Sequence, residues 1–287
     1  MKLAMIFDKR RPGTTGTYFE RAFHTLGIAC DHWWLRDAER IPSDYDLYLR
    51  VDHGDDYLVP LPARLRPAVF YAIDTHLAHS WKKIRRTAGW YDLVFCCHRD
   101  GAERLRGAEW LPVACDPELH GPTGRPPVWD VGFIGTEGGI PRKFYLQALK
   151  ERYPNSRIGQ APYAEMASIY SRSRVGFNYS INNDVNMRLF EVLAARTLLV
   201  TNALAGDDLR RLDLEEGRHL ATFRHPAELF ERIDYFLQHP EEARQIAQAG
   251  HEAVIRQHTY AHRMRRLLAR AAETVGLALP QALMVTG

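Results

Sequence analysis

Asn183-Asp184-Val185-Asn186-Met187-Arg188-Leu189-Phe190-Glu191-Val192-Leu193-Ala194-Ala195-Arg196-Thr197-Leu198-Leu199-Val200-Thr201 opens polar, becomes an amphipathic helical pattern and ends in an apolar strand. Arg188 and Glu191 are three apart, so on a helix they share one face. Phe190, Leu193 and Ala194 fall on the opposite, core-facing side. A cation and a carboxylate on the first turn of a helix beside a sheet suit an anionic, hydroxyl-rich ligand. The competing reading is a surface i,i+3 salt bridge worth only a few tenths of a kcal/mol.

Outward from this stretch, strand-like apolar runs alternate with helical ones, which argues α/β architecture with mostly parallel strands. Before it come strand patterns at Asp130–Gly135, Ser156–Gly159 and Val175–Tyr179; after it, a short one at His219–Thr222. Helical patterns follow over Pro226–Leu237 and Pro240–Gln257, each opening with a proline suited to the first turn, and then over Tyr260–Val275. The first half reads as a strand at 3–7, a helix Tyr18–Leu26 closed by Gly27, strands at Tyr45–Val51, Ala68–Ile73, Leu93–Cys96 and Glu109–Val113, and a helix Trp81–Ala88. The Pro/Gly-rich segment Asp116–Val128 separates the halves. The predicted domains are therefore 1–120 and 121–270, with a tail at 271–287.

Composition sets the outer limits. A chain of 287 residues with 46% apolar residues is long enough for two domains of ordinary size, or one large one, with a real core. A net charge of +3 does not suggest a protein that lives on nucleic acid. The four cysteines, Cys30, Cys96, Cys97 and Cys115, lack C-x-x-C spacing, so they read as reduced core thiols rather than a zinc site or disulfide framework. The apolar opening Leu3–Phe7 is too short for a signal peptide, and no run approaches the ~20 residues of a transmembrane helix. The expected location is the cytoplasm.

Several loops that follow strands carry candidate chemistry, because open α/β sheets bind ligands at the carboxyl ends of their strands. Gly135-Thr136-Glu137-Gly138-Gly139-Ile140-Pro141-Arg142 leaves a strand and opens a helix, where backbone N–H groups and Arg142 suit a diphosphate. A plain surface turn is the alternative. Gly13-Thr14-Thr15-Gly16 follows the first strand and suits a phosphate or acceptor contact, or only a βα turn. The dinucleotide fingerprint G-x-G-x-x-G is absent there, which removes the main support for NAD binding. Asp74 and His76 stand just past a buried strand, and either could serve as a general base for an acceptor hydroxyl or, for His76, as a charge stabiliser. Asp52-His53-Gly54-Asp55-Asp56 offers a second such group, with capping roles at least as open to Asp52, Asp55 and Asp56 and a metal cluster, of unspecific spacing, as a further reading. Tyr163 and Tyr170 could stack on a nucleobase or simply pack. Arg263, Arg265, Arg266 and Arg270 read as a solvated helix face.

The region from Trp110 to His262 resembles the GT-B glycosyltransferases, in particular the CgeB-like, glycosyltransferase group 1 C-terminal domain family. Trp110-Leu111-Pro112-Val113-Ala114-Cys115-Asp116-Pro117-Glu118, Trp129–Gly135, Asn186–Ala194 and His258-Thr259-Tyr260 with Arg263-Met264 carry the likeness. The resemblance implies two Rossmann-like domains with a cleft between them and C-terminal closing helices. It implies a nucleotide-sugar donor held by the second domain, with Glu191 on the ribose and Arg142 and Arg188 on the diphosphate. Asn178, Asn186 and backbone near Gly135 would assist, and Gly159 to Tyr163 would meet the base. Such enzymes generally work without a metal, and no cofactor is expected beyond the donor. Related chains often carry a Glu eight residues before the ribose-binding Glu, where this one has Asn183, and a Gly where it has Arg196.

The expected activity is transfer of a sugar to an acceptor hydroxyl or amine. The acceptor class stays open among polysaccharide, lipid, protein, metabolite and modified nucleic acid, and a homodimer is an open expectation. The alternative is a non-catalytic nucleotide-sugar-binding protein that keeps the fold.

Overall fold

The computed structural model describes residues 1–10, 12–52 and 59–284. They form two compact units, Met1–Val113 with Tyr260–Gly287, and Ala114–Thr259. The returning segment is a finding of the structure: helix Tyr260–Val275 belongs to the first unit and does not close the second.

The first unit holds a six-stranded parallel sheet of β1 (Lys2–Ile6), β2 (Ala29–Trp33), β3 (Leu47–Val51), β4 (Ala68–Ala72), β5 (Leu93–Cys96) and β6 (Ala108–Trp110), in the order β2-β1-β3-β4-β5-β6. Strands β3, β4 and β5 are buried along their whole length, as a parallel sheet covered on both faces requires. β2 was not expected from the sequence. It is an edge strand with alternating exposed and half-buried residues and two polar side chains, Asp31 and His32, so it lacks the apolar run that marks its neighbours. Helices α1 (Thr15–Thr25), α2 (Ala78–Thr87) and α3 (Arg99–Arg104) connect the strands. Gly27, at φ +70°, ends the first of these, and the Ile28 N–H bonds the Phe23 carbonyl across it.

The second unit contains α4 (Pro117–His120), β7 (Trp129–Ile134), α5 (Arg142–Arg152), β8 (Arg157–Gly159), α6 (Met166–Ser171), β9 (Ser173–Asn178), α7 (Met187–Ala194), β10 (Leu198–Asn202), α8 (Asp208–Arg211), β11 (Ala221–Phe223), α9 (Pro226–Gln238) and α10 (Pro240–Gln257). Its five parallel strands run β11-β10-β9-β7-β8. The order reverses between β7 and β9, so the loops leaving these two strands diverge and open a crevice at the switch point.

Helix α7 departs from the amphipathic pattern: Leu189 through Ala194, Glu191 included, are all buried. It packs against α10, α4 and α6 as well as the sheet, which leaves it no solvent face. Its end is a Schellman motif, with Arg196 N–H to Leu193 O at 3.0 Å and Thr197 N–H to Val192 O at 3.4 Å. Arg196 takes the left-handed position at φ +57°, a conformation that glycine adopts without steric cost.

Helix α11 (Tyr260–Val275) covers the first unit. Tyr260 stacks on Tyr18 with ring centroids 4.7 Å apart. Arg263 is buried and its Nε donates to the Pro112 carbonyl at 2.8 Å, while Arg270 donates to Glu109 at 2.7 Å. The expected solvated arginine face is thus partly an interior one, because this helix carries the chain back across the end of β6. A short helix, α12 (Gln281–Met284), lies in the predicted tail.

Candidate functional site

The switch point of the second sheet brings together Gly135, Arg142, Asn178, Asn186, Arg188 and Glu191. Asn186 caps α7, its Oδ1 accepting from Leu189 N–H at 3.3 Å, and its Nδ2 donates to Asn178 Oδ1 at 3.2 Å. Asn178 ends β9, is fully buried, and donates to Thr201 Oγ1 at 3.0 Å. Its Oδ1 also receives Arg188 Nη1 at 3.3 Å. Arg188 Nε donates to the Ile134 carbonyl at 3.0 Å, and its guanidinium sits 4.5 Å from the Phe133 ring centroid. The guanidinium is therefore held by backbone, amide and aromatic face.

Arg188 and Glu191 do not form the salt bridge their spacing allows, and neither Arg188 nor Arg142 has an ion-pair partner among the described residues. Glu191 is only 7% exposed, yet no protein donor reaches its carboxylate among the described residues. Its oxygens are not among the buried atoms that lack a partner, so they keep access to donors from outside the protein. Arg142 opens α5, and its Nε donates to the Tyr179 carbonyl at 3.0 Å. Burial first, then the Arg188 guanidinium, hold Arg142 below its ordinary value against the opposing pull of Asp184 and Tyr179. A half-buried guanidinium whose charge is opposed by a second one beside it suits an anion.

Gly135 follows β7 at φ +150°, a conformation essentially reserved for glycine. A Cβ there would lie inside contact distance of the Arg188 guanidinium. Its N–H donates to the Gly159 carbonyl at 3.0 Å, which ties the ends of β7 and β8. Tyr163 is half-exposed beyond Gly159, with its hydroxyl 3.4 Å from His120 Nε2. Tyr170, by contrast, is fully buried, and its hydroxyl bonds the backbone of Ile134, so it is a core residue and not a stacking platform. Asn183, where relatives often have Glu, sits at φ +54° and accepts from Asn202 Nδ2 at 2.7 Å. It is a turn residue, and asparagine tolerates that conformation better than glutamate.

In the first unit, the loop after β4 carries Asp74 and His76. The buried Asp52 carboxylate braces this loop by accepting from Ile73 N–H at 3.0 Å and Asp74 N–H at 3.5 Å. His53, Asp55 and Asp56 lie outside the described residues, as does Arg11. His76 Nδ1 is 3.1 Å from Nδ1 of His98, which follows β5, and the two rings meet edge to face. His98 was missed as a site candidate. Its signal was available: it lies just past a buried strand, as His76 does.

The loop Gly13–Gly16 begins with Gly13 at φ +72°. Thr14 precedes α1, and its hydroxyl is 3.1 Å from that of Thr17. Thr15 and Gly16 are buried, and the space of a Gly16 Cβ is taken by the Phe7 ring. Gly16 thus serves close packing of α1 on the end of β1.

Residues 120–269 match the model of a family described as glycosyl transferase-like. No curated protein matches the chain. Among solved structures, HepE of Anabaena in complex with UDP and glucose superposes with a TM-score of 0.70 at 10% identity, over 95% of this chain and 100% of that one. Sucrose-phosphate synthase from Thermosynechococcus elongatus gives 0.65 at 14% identity, over 95% and 99%. BGT of T4 phage in complex with its UDP-glucose substrate gives 0.59 at 11% identity, over 97% and 100%. At these identities the likeness shows the fold, which is GT-B.

Proposed function

This chain belongs to the glycosyl transferase-like family, and on that premise we propose that it moves a sugar from a nucleotide-sugar donor to an acceptor hydroxyl or amine. The observation that carries this reading is the switch-point constellation: Arg142 and Arg188 without ion-pair partners among the described residues, beside a buried Glu191 whose carboxylate lacks a protein donor among them.

In this reading the diphosphate lies against Arg142, Arg188 and the backbone at Gly135. Glu191 accepts from the ribose hydroxyls, with Asn178 and Asn186 holding Arg188 in place. The base lies between Gly159 and Tyr163. The acceptor oxygen or nitrogen forms the new bond to the anomeric carbon while the bond to the diphosphate oxygen breaks. The two arginines stabilise the negative charge that develops on the departing diphosphate, the role a metal plays elsewhere. Asp74 or His76, on the acceptor side, takes the acceptor proton or stabilises charge. Two of the solved neighbours are complexes with UDP or UDP-glucose, so uridine nucleotides are the first probes. No helix among the described residues is long and apolar enough to cross a membrane. We place the protein in the cytoplasm on the support of its cysteines, none of which forms a disulfide among the described residues.

A thermal-shift panel of UDP, GDP, TDP, ADP and CMP sugars tests the donor site, because a ligand that binds the folded state stabilises it by mass action. One nucleotide class should raise the midpoint selectively. A flat panel would remove the donor reading. Selective binding without transfer or hydrolysis products would favour the non-catalytic binding protein. Asp74→Asn and His76→Ala should each lower turnover; if both leave it intact, the base lies elsewhere.

A further inference from the structure

We infer that the outer face of α2 docks an acidic polysaccharide, which makes the acceptor a carboxylate-bearing chain. The inference deepens the proposed function and rests on its reading of Asp74 and His76 as the acceptor-side loop.

Helix α2 reads Ala78-His79-Ser80-Trp81-Lys82-Lys83-Ile84-Arg85-Arg86-Thr87, with four Lys and Arg side chains and no carboxylate. Ser80, Ile84 and Thr87 are buried, Ile84 in the core of the first unit. Lys82, Arg85 and Arg86 stand at i, i+3 and i+4, so they share another face, and all three are exposed. None of their side chains has an ion-pair or hydrogen-bond partner among the described residues. Helix α3, whose Arg104 guanidinium lies 4.0 Å from the Trp81 ring centroid, brings no spare carboxylate. Its Asp100 pairs with Arg104 at 3.4 Å and its Glu103 with Arg99 at 2.7 Å. Three like charges within about 6 Å of helix axis repel one another, so a polyanion stabilises this face.

The place of the face says what the polyanion is for. Leu77 precedes α2 directly after the loop of Asp74 and His76. At 1.5 Å per residue, Lys82 and Arg86 stand about 6 and 12 Å along the axis from Ala78. An acceptor with its reactive hydroxyl at that loop reaches these cations only if it continues beyond one sugar residue. A small metabolite gains nothing from the face, whereas a chain with repeated anionic groups does.

The side chains around the cations select among polyanions. No large apolar side chain of α2 is exposed, so the face has nothing to bury among acyl chains of a membrane. Trp81 is half-buried against Arg104, so no open ring is offered to a nucleobase. Three cations also fall short of the roughly 6–10 phosphate contacts of an ordinary nucleic-acid site. A hydroxyl-rich chain needs neither an apolar anchor nor a stacking ring. Its carboxylates meet the forks of Arg85 and Arg86 two oxygens at a time.

The test is titration of the full chain with a fluorescein-labelled polygalacturonate oligomer, followed by anisotropy at low salt. Dextran, a single-stranded oligodeoxynucleotide and vesicles of phosphatidylglycerol with phosphatidylcholine are run beside it. The oligomer should bind, dextran should not, and the binding should weaken as salt rises. Lys82→Gln, Arg85→Gln and Arg86→Gln together should weaken it about 10-fold, the size of three exposed ion pairs. The charge-keeping pair Arg85→Lys and Arg86→Lys should retain most of the affinity. All three side chains are exposed, and an unchanged unfolding midpoint checks that the variants fold. No binding by the wild type, or equal affinity in the triple variant, overturns the inference. So does tighter binding of the oligodeoxynucleotide or the vesicles that the triple variant loses. A flat panel of nucleotide sugars would instead remove the donor reading, and with it the acceptor role, while leaving polysaccharide binding by α2 standing.

Discussion

Replacing Glu191 by glutamine should weaken nucleotide binding while leaving the stability of the fold nearly unchanged. Glu191 is 7% exposed as a residue, no protein donor reaches its carboxylate among the described residues, and its oxygens are not among the buried atoms that lack a partner. Glu191→Gln removes the charge and keeps the shape, so stability should change by no more than about 0.5 kcal/mol. For a chain of this size that is roughly 1–2 °C in the unfolding midpoint. Hydrogen bonds from a charged acceptor to ligand hydroxyls are worth about 1.5–3 kcal/mol, so the affinity for UDP should fall about 10- to 100-fold. Scanning calorimetry without nucleotide and titration calorimetry with UDP read the two effects separately. A lower midpoint with unchanged UDP affinity would make Glu191 a structural carboxylate and refute the reasoning.

Gly135→Ala should strain the backbone at φ +150° by about 1–3 kcal/mol and displace the Arg188 guanidinium, so that both the midpoint and UDP binding fall; retained binding would separate Arg188 from the donor. Arg196→Gly should relieve a left-handed residue that costs about 1–2 kcal/mol, partly offset by the flexibility glycine adds to the unfolded chain. The net expectation is about 0.5–1 kcal/mol of added stability in urea unfolding, whereas Arg196→Ala should add none. Cys30 is pushed up to about 11, by burial first and then by Glu20 and Asp31. The ordinary value is 9.0, so the Cys30 thiolate at pH 8 is about 100-fold scarcer than in a free thiol. Because the folded value is the raised one, its stabilising contribution is complete below the unfolded thiol value and is lost as pH rises through 11. Iodoacetamide labelling of Cys30, followed by mass spectrometry against pH, should lag a model thiol by about 10-fold, because the more basic thiolate is also the stronger nucleophile.

The parts of the molecule that were legible in the sequence are those whose physics is local or periodic. The buried runs at Leu47–Val51, Ala68–Ala72 and Leu198–Asn202 announce themselves by composition, and the proline-led helices α9 and α10 by their first residue. The pairing of Arg142 with Arg188 was readable only as two loops after two strands, since strand order, which makes β7 and β9 neighbours, is a property of the sheet. The i,i+3 spacing of Arg188 and Glu191 pointed to a shared face, but it could not say that the two side chains would turn to different partners. β2 escaped because an edge strand need not be apolar on both faces. His98 stood in the same place after its strand as His76 and was overlooked, whereas the interior role of Arg263 is defined by Pro112, far away in sequence.

The path of the chain at the ends of the second unit has a practical meaning. Residues 114–259 leave and re-enter at neighbouring points, for Cys115 and Thr259 pair in parallel and Pro112 touches Arg263. In genetic terms the second unit is an insert within the first. It can be excised as one uninterrupted fragment, whereas the first cannot be obtained by stopping at Val113, because that would strip the partner ring from Tyr18 and bare the core beneath α11. A version of the first unit should instead splice Val113 to Tyr260 through a few flexible residues, and that splice gives each unit a separate preparation for binding measurements.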